Sequence, residues 1–354
     1  MKIIQVIDTL SVGGAEKILI NLANLQKKKG HEVCVLTILE PGPLASQLQP
    51  EIPQVSLHRQ WKFNPFTMYR FIRIARKYDV IHVHSSHNLR YVFLATRLFG
   101  LKKVIFFHEH NGNIEIDQSV RWHQRLIYPK VHLIAVSRKI SQWAIEKVKV
   151  PAKNVHLLSN TVASYPFRPF ALTKEGKQKT SIILTSNFLR NKNLGFAIYL
   201  MSLLTECSLT IVGQPYDLSY VEELNQECVK LGINVRIRFI HDCRDIQPIL
   251  NQFDLAVHTA NFESGPLVLI EYLAQGIPFL SYRTGEIAYM VEEQFPDFII
   301  DNFQVEQWVE RIHLLLYRDR QALGTAMRRF YEAQFSEDSY YEQCQQIYHK
   351  GLLS

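Results

Sequence analysis

Residues 253–276 read FDLAVHTANFESGPLVLIEYLAQG, a strand pattern, a polar loop and a helix pattern in succession. The first part, 253–260, is an apolar run of strand length, as in a buried parallel strand. Pro266 suits the first turn of a helix, because its missing N–H has no helical partner there. Gly276 and Pro278 are stop signals, so a helix is predicted from about 266 to 275. A strand joined to a helix in this way is typical of a parallel α/β sheet.

Two carboxylates lie on either side of the predicted helix start, Glu263 and Glu271, with seven residues between them. The pattern predicts Glu263 at the positive end of the helix and Glu271 about 7 Å further along, at roughly 1.5 Å rise per residue. The helix start is the segment Ser264-Gly265-Pro266-Leu267, where backbone amides favour phosphate. The spacing can therefore put one acid on a sugar and the other on a ribose, with donors for a diphosphate between them.

The composition predicts two domains, because the chain has 354 residues and 47% hydrophobic content. Its five cysteines are scattered without a CxxC pair, so neither a disulfide framework nor a zinc knuckle is expected. The N-terminus lacks a cleavage pattern, and no segment has the roughly eighteen uninterrupted apolar residues of a membrane span. We therefore expect a cytoplasmic protein.

The charge is uneven along the chain. Residues 1–163 carry 23 Lys and Arg against 10 Asp and Glu, a net charge of +13, whereas residues 164–354 have a net charge of −6. The break coincides with an irregular, proline-containing stretch at about 161–180, as an exposed linker would. We predict domains at 1–163 and 164–335, followed by a helical segment at 336–354. The basic half suggests nucleic acid, an anionic membrane surface or a phosphorylated acceptor as its partner.

Strand patterns alternate with helical patterns in both halves. In the first half they fall at 3–7, 33–39, 80–84, 103–107, 131–136 and 155–158, and in the second half at 181–185, 208–212, 235–240, 254–258 and 278–282. Such alternation predicts two doubly wound parallel sheets that bind ligands beyond the C-terminal strand ends. The helical pattern at about 336–352 is expected to pack back on the first domain.

Two junctions in the first half carry candidate site residues. The strand IIQVID leads into a loop with the paired glycines Gly13 and Gly14, and paired glycines let a backbone approach a phosphate or sugar closely. This loop is not the G-x-G-x-x-G fingerprint, which weakens a dinucleotide interpretation. His108 ends a buried strand, from where its imidazole could donate to a sugar hydroxyl or a phosphate.

Histidines also allow a rival interpretation, a zinc hydrolase. His82, His84 and His87 have HxHxxH spacing and follow one strand, and three such side chains can bind zinc. A hydrolase of the HxHxDH type would need an acid at position 86, where this chain has serine. Satisfied histidines at the end of a strand are the alternative that we prefer.

The second half adds a cation. Lys192 follows the strand SIILT and precedes a helix, where it could neutralise a departing diphosphate. The loops after Gly213 and at 241–245 would open on the same side and could hold a nucleotide base.

The order of these motifs resembles glycosyltransferase family 4, which consists of retaining enzymes of the α/β GT-B fold. The residues that carry the resemblance run through the whole chain: GGAE at 13–16, DVIHVHSS at 79–86, His108, AVS at 135–137, LSNTV at 158–162, IVG at 211–213 and the two carboxylates of the 263–271 motif. The resemblance implies two Rossmann-like domains that face each other across a cleft, with the C-terminal helix packed on the first.

The family also implies roles for individual residues. Glu263 would contact the transferred sugar, Glu271 the ribose hydroxyls, and Lys192 with the amides of 264–267 the diphosphate, while His108 matches the active-site histidine. Family members usually have Gly-Arg five residues before the lysine, and this chain has Ser186-Asn187. Asn187 is therefore expected to contact the donor in place of arginine, with Arg190 nearby.

We therefore expect a retaining transferase that moves a sugar from a nucleoside diphosphate sugar to a glycan acceptor, without a cofactor or metal. The acceptor is expected to be lipid-linked, in the synthesis of a cell-surface polysaccharide such as lipopolysaccharide or capsule. The segment 61–77 combines aromatic and cationic residues, as a helix at a membrane surface would. Scattered cations without a reading module disfavour nucleic acid. A nucleotide-sugar-binding partner of another transferase is the non-enzymatic alternative.

Overall fold

The structure, a computed structural model, describes residues 1–61, 64–163, 165–167, 179–243 and 245–353. The chain forms two compact units, Met1–Ala163 together with Glu337–Ser354, and Ser164–Ser336. Most of the expected linker, 164 and 168–178, lies outside the described residues, as do residues 62–63 of the aromatic segment and residue 244.

The first unit contains a seven-stranded parallel sheet. Its strands are β1 (Lys2–Ile7), β2 (Glu32–Thr37), β3 (Gln54–Ser56), β4 (Val80–His84), β5 (Ile105–Glu109), β6 (His132–Ala135) and β7 (Val155–Leu157), in the order β3-β2-β1-β4-β5-β6-β7. β1 is buried on both faces, because Ile4 and Val6 pack in one apolar cluster and Ile7 in another. Burial on both faces explains why these strands read as continuous apolar runs.

Helices cover both faces of this sheet. They are α1 (Gly14–Lys28), α2 (Pro65–Ala75), α3 (Ser86–Leu98), α4 (Trp122–Ile127) and α5 (Arg138–Trp143), which continues as a π-helical turn over Ala144–Val148. The Asn64 side chain caps α2 by accepting hydrogen bonds from the amides of Phe66 and Thr67. This cap and Pro65 in the first turn explain where α2 begins.

The second unit contains a six-stranded parallel sheet. Its strands are β8 (Thr180–Thr185), β9 (Cys207–Val212), β10 (Ile237–Ile240), β11 (Leu255–His258), β12 (Phe279–Tyr282) and β13 (Ile299–Ile300), in the order β10-β9-β8-β11-β12-β13. The helices of this unit are α6 (Leu194–Leu203), α7 (Leu218–Lys230), α8 (Gln247–Leu250), α9 (Leu267–Gln275), α10 (Gly285–Gln294), α11 (Val305–Leu316) and α12 (Arg320–Gln334). Two Rossmann-like parallel sheets confirm the predicted fold class.

The last helix, α13 (Glu337–Leu353), packs on the first unit as predicted. The Tyr348 hydroxyl lies 2.6 Å from Nδ1 of His82 and accepts a hydrogen bond from Nε2 of Gln26 at 3.2 Å. The ammonium of Lys29 pairs with Asp338 at 2.6 Å. None of the helices in the described residues is sufficiently long and apolar to cross a membrane.

Each predicted strand has a counterpart, but the sequence patterns missed β3 and β13. Both are edge strands, of three and two residues, and such short segments have no detectable periodicity. The helix predicted from about 266 to 275 corresponds to α9. Pro266 has an extended ψ of 108° and precedes α9, which begins at Leu267.

Candidate active site

Polar residues collect at the C-terminal ends of the strands in each unit, the edge where parallel α/β sheets bind ligands. In the second unit these residues follow β8, β9, β11 and β12, and in the first unit they follow β1, β4 and β5. Each unit is described separately below.

Glu263 lies in the loop after β11, and its side chain has a lysine and a histidine as neighbours. Its Oε1 forms an ion pair with Nζ of Lys192, which follows β8, and lies 3.8 Å from Nε2 of His258 at the end of β11. Only 15% of the Lys192 side chain and 24% of the Glu263 side chain are exposed. The structure therefore brings together two of the predicted catalytic residues, which are 71 positions apart in the chain.

The electrostatic environment keeps Glu263 ionised. Burial by itself would raise the pKa of this carboxyl group, but the contact with His258 and the charge of Lys192 outweigh burial and lower the pKa to about 2. Glu263 is therefore a carboxylate at neutral pH, which accepts hydrogen bonds and does not act as a proton donor.

His258 is a site residue that the sequence analysis missed. Its side chain is buried, and its Nδ1 lies 3.1 Å from Oγ of Ser281. The Ser281 hydroxyl donates to the carbonyl of Tyr282, and the His258 ring is oriented with Nδ1 toward Ser281 and Nε2 toward Glu263. The sequence signal that could have identified His258 is its position at the end of a strand, five residues before Glu263.

Backbone hydrogen bonds hold the loop between β11 and α9. The amide of Glu263 donates to Oγ1 of Thr284 at 2.8 Å, and the amide of Glu286 donates to the carbonyl of Ser264 at 2.9 Å. Gly285 has a φ of +74°, and a Cβ there would lie 2.7 Å from the Pro266 ring. The start of α10 is therefore packed closely against this loop, which extends through Gly265 to Leu267.

Glu271 is buried on α9, and its charge acts on Tyr165. Burial, a hydrogen bond to Asp245 and the charges of Asp245 and Glu271 raise the pKa of Tyr165 to about 12. Glu263 precedes α9, which begins at Leu267, and Glu271 lies in the second turn of this helix.

Asn187 joins the loops after β8 and β9. Its Oδ1 accepts a hydrogen bond from the amide of Gln214 at 3.2 Å, and the amide of Phe188 donates to the carbonyl of Gln214 at 2.9 Å. A Cβ at Gly213 would overlap the carbonyl of Ser186. Glycine is therefore required where these two loops meet.

Arg190, expected near the donor, is paired with carboxylates in this structure. Its guanidinium donates to both oxygens of Glu223, at 2.8 and 2.6 Å, and lies 3.5 Å from Asp217. Two carboxylates therefore balance its charge, and a phosphate would have to compete with them.

In the first unit, the loop after β1 contacts α3. Asp8 accepts from Nε2 of His87 at 2.9 Å and from Nδ2 of Asn88 at 3.3 Å. Gly13 precedes α1 with extended backbone, and Gly14 is its first residue. A Cβ at Gly13 would overlap the carboxylate of Glu16, which accepts from Ser11 at 2.9 Å.

A buried histidine cluster lies at the ends of β4 and β5. His84 donates through Nε2 to Gln5 at 3.0 Å, and its Nδ1 lies 3.1 Å from Nε2 of His110. His108 is fully buried, and neither of its ring nitrogens has a hydrogen-bond partner among the described residues. Burial, followed by the neighbouring imidazoles, lowers the pKa of His82, His84 and His108 well below the usual range, so these rings are neutral at pH 7.

The three histidines of the rival zinc interpretation do not form one group, because His87 lies apart from His82 and His84. His87 is bound to Asp8, and the ligand-type group that the structure does form contains His82, His84 and His108. The rings of His82 and His84 are stacked 4.5 Å apart at 14°. Nitrogen lone pairs lie in the ring plane, so stacked rings do not direct them at one ion. This arrangement does not fit a tetrahedral zinc site.

Glu109, also missed by the sequence analysis, is buried directly after His108. It accepts from the Tyr128 hydroxyl at 2.9 Å and from the amide of Asn111 at 3.1 Å. Burial raises the pKa of Glu109 to about 7, against the lowering effect of these hydrogen bonds. No sequence pattern marks this residue, because its environment depends on α4 and the turn after it.

Comparison with known proteins identifies both units. A family model described as Glycosyltransferase Family 4 matches residues 12–163, and one described as Glycosyl transferases group 1 matches residues 168–330. The two models together match most of the chain, one for each unit.

Relatives and solved structures agree with these matches. The chain is 23% identical to N-acetyl-alpha-D-glucosaminyl L-malate synthase of Bacillus anthracis, over 80% of this chain and 79% of that protein. It is 21% identical to UDP-Gal:alpha-D-GlcNAc-diphosphoundecaprenol alpha-1,3-galactosyltransferase of Escherichia coli, over 77% of each. The solved structure of Anabaena Alr3699/HepE in complex with UDP and glucose has a TM-score of 0.81 at 17% identity and covers 98% of each chain.

Proposed function

Because this chain belongs to glycosyltransferase family 4, we propose that it transfers a sugar from a nucleoside diphosphate sugar to a lipid-linked glycan acceptor. The transfer retains the configuration at the anomeric carbon and uses no metal. The product contributes to a cell-surface polysaccharide such as lipopolysaccharide or capsule. The observation that carries the proposal is the half-buried ion pair of Lys192 and Glu263 after β8 and β11, with His258 behind it.

These residues act in one step of the proposed reaction, the transfer of the sugar. The bond between the anomeric carbon and the diphosphate breaks, and a bond to the acceptor oxygen forms on the same face of the sugar. The acceptor proton passes to a phosphate oxygen of the released diphosphate. Lys192 stabilises the negative charge that develops on the departing diphosphate, which is often the largest contribution to catalysis.

The two carboxylates accept hydrogen bonds from hydroxyl groups of the nucleoside diphosphate sugar. Glu263 is ionised and accepts hydrogen bonds from sugar hydroxyls, while His258 positions it from behind. Glu271 accepts from the ribose hydroxyls, and the amides of 264–267 with Asn187 and Gly213 line the diphosphate side. In the first unit, Gly13 and Gly14 are proposed to contact a sugar, whereas His108 is fully buried in this structure.

The E. coli relative supports the acceptor class, because its name specifies a sugar linked through a diphosphate to undecaprenol. Exposed apolar side chains of the first unit support the proposal that the enzyme acts at a membrane surface. They are Trp61, Phe66 and Tyr69 in or before α2, Leu98 on α3 and Trp122 on α4. α3 contacts both α2 and α4, so these side chains belong to neighbouring helices. We infer a cytoplasmic protein that binds peripherally to the inner face of the cytoplasmic membrane.

A donor screen followed by an activity assay tests the proposal. The nucleoside diphosphate sugar that most raises the unfolding temperature is identified first, because a bound ligand stabilises the folded state. Slow hydrolysis of this donor and transfer to a lipid-linked acceptor are then followed by NMR, with retained anomeric configuration expected. Donor binding without hydrolysis or transfer would instead indicate a binding partner of another transferase.

Chelation tests the metal requirement. Protein treated with EDTA and shown to be free of metal by elemental analysis is expected to keep full activity, since Lys192 and backbone amides balance the diphosphate charge. Loss of activity that zinc or magnesium restores would overturn this part of the proposal.

A further inference from the structure

Two adjoining cavities of the first unit run along α3. One has a volume of about 330 Å³ and the other about 500 Å³, and Phe93 and Lys130 line both. We call the two together the α3 groove. None of the described residues that line it belongs to the histidine cluster or to the loop that contains Gly13.

The α3 groove is strongly cationic. Arg59, Arg90 and Lys130 line the first cavity, and Arg97, Lys102 and Lys103 line the second. None of the described residues that line either cavity is an aspartate or glutamate. These six cations also have no carboxylate partner among the residues that the structure describes. Unbalanced positive charge of this kind favours an anionic ligand.

The walls between the cations are apolar. Leu94, Trp122 and Leu126 line the first cavity and are 41%, 74% and 55% exposed. Arg59 lies 5.0 Å above the Tyr91 ring, and Arg97 lies 5.1 Å from the Phe93 ring. The cations are therefore held over an apolar floor, which suits a ligand with both an anionic group and a hydrocarbon part.

The groove begins at the edge of the sheet that carries the site. His87, at the start of α3, lines the first cavity and binds Asp8 of the loop after β1. Lys102, Lys103 and Ile105, before and at the start of β5, line the other end. Since α3 has 13 residues, the two ends are separated by about 20 Å at 1.5 Å per residue.

We propose that the α3 groove binds the acceptor through its diphosphate and the adjoining part of its apolar chain. The diphosphate lies against Arg59 and Arg90, the chain lies over Leu94 and Leu126, and the acceptor sugar is at the His87 end. A sugar acceptor without a lipid would make no contact with the hydrocarbon wall. A free nucleotide would likewise leave the exposed leucines uncovered. This inference rests on the proposed transferase function.

Binding of farnesyl diphosphate, a short probe with the same two chemical parts, tests the assignment by quenching of tryptophan fluorescence and by calorimetry. The full chain is expected to bind it at least tenfold more tightly than either farnesol or inorganic diphosphate. Arg59→Gln with Arg90→Gln, and separately Leu126→Asp, are each expected to weaken binding at least tenfold. Leu126 is exposed, so its substitution should leave the fold intact, which thermal unfolding checks.

Arg73→Gln with Arg76→Gln is the matched control, because it removes the same charge from the C-terminal end of α2 and the residue after it, outside the groove. Equal affinity for inorganic diphosphate and farnesyl diphosphate would overturn the inference in favour of a simple anion site. Equal weakening by the control pair would overturn it in favour of general electrostatic attraction. If farnesyl diphosphate does not bind while donor hydrolysis persists, this inference fails and the proposed transferase function stands.

Discussion

The carboxylate of Glu263 is stabilised by two neighbours against the cost of burial. Lys192 contributes an ammonium charge and His258 an imidazole that Ser281 holds in place. The arrangement puts an ionised acid and a cation in contact before any ligand binds. A sugar hydroxyl and a phosphate can then each replace one half of the pair.

The titration of Glu263 is the first test of this arrangement. Its carboxyl group is expected to titrate near pH 2, as followed by the ¹³C shift of its side chain and assigned with Glu263→Gln. Because the pKa is lowered from its usual 4.5, the group stabilises the fold by about 3 kcal/mol above pH 4.5, and this contribution is lost as the pH falls toward 2. Lys192→Met is expected to raise the pKa, whereas Lys230→Met, at an exposed pair, should leave it unchanged.

Lys192→Ala is expected to lower kcat by about 10² to 10³, with a smaller effect on the donor KM, because its charge is needed most in the transition state. Steady-state kinetics with the donor from the thermal screen measures both constants. Lys230→Ala removes an exposed lysine of the same unit and serves as the control. An unchanged kcat in Lys192→Ala would show that another group balances the leaving diphosphate.

Glu271→Ala is expected to raise the donor KM by about 10- to 100-fold, since hydrogen bonds to a charged group contribute about 1.5–3 kcal/mol. Thermal shift with the free nucleoside diphosphate measures the same loss without turnover. If the donor KM and turnover both stay the same, the assignment of Glu271 to the ribose is wrong.

Among the helices, α13 has the clearest tertiary role, because its Tyr348 closes a buried network in the first unit. Tyr348 contacts His82 and Gln26, Gln26 accepts from Gln5, and Gln5 accepts from His84. The side chain of Tyr348 is fully buried. The C-terminal helix therefore supports the histidines that end β4.

Tyr348→Phe is expected to lower the free energy of unfolding by about 1–3 kcal/mol, because it leaves buried polar groups of His82 and Gln26 without a partner. Chemical denaturation measures the change. Tyr317→Phe, at a side chain that is 89% exposed, is the matched control and should have almost no effect. A loss in Tyr348→Phe no larger than in the control would mean that the network contributes nothing to stability.

The whole chain has an uneven charge, and its first unit also exposes aromatic residues on neighbouring helices. The net charge of +13 over residues 1–163 is expected to attract anionic lipid, with about 1 kcal/mol for each cation near the surface. The exposed side chains of Phe66 and Trp122 add apolar contacts.

Flotation with liposomes tests membrane association. The protein is expected to float with anionic vesicles at low salt, to float less at high salt because of screening, and to stay in the dense fraction with neutral vesicles. Phe66→Ser with Trp122→Ser should reduce flotation, whereas Leu218→Ser with Tyr317→Ser, exposed residues of the second unit, should not. Failure to float with anionic vesicles at low salt would contradict the peripheral membrane location.

The sequence alone determined the fold class and most of the strands. Buried parallel strands are local apolar runs, so β1, β4 and β8 could be identified without knowledge of their neighbours. Loops that follow such strands meet at one edge of the sheet, which is why Glu263 and Lys192 could be assigned to one site. Edge strands such as β13 carry no comparable local signal.

Only the tertiary structure decided which partners these residues have. The Lys192–Glu263 pair, the contact of His258 with Glu263 and the hydrogen bonds of Arg190 to Glu223 depend on packing between separate elements. Tyr348 and His82 are 266 positions apart, yet they form a buried hydrogen bond. Periodicity describes how one element presents its faces, but burial, charge balance and pKa arise only when several elements meet.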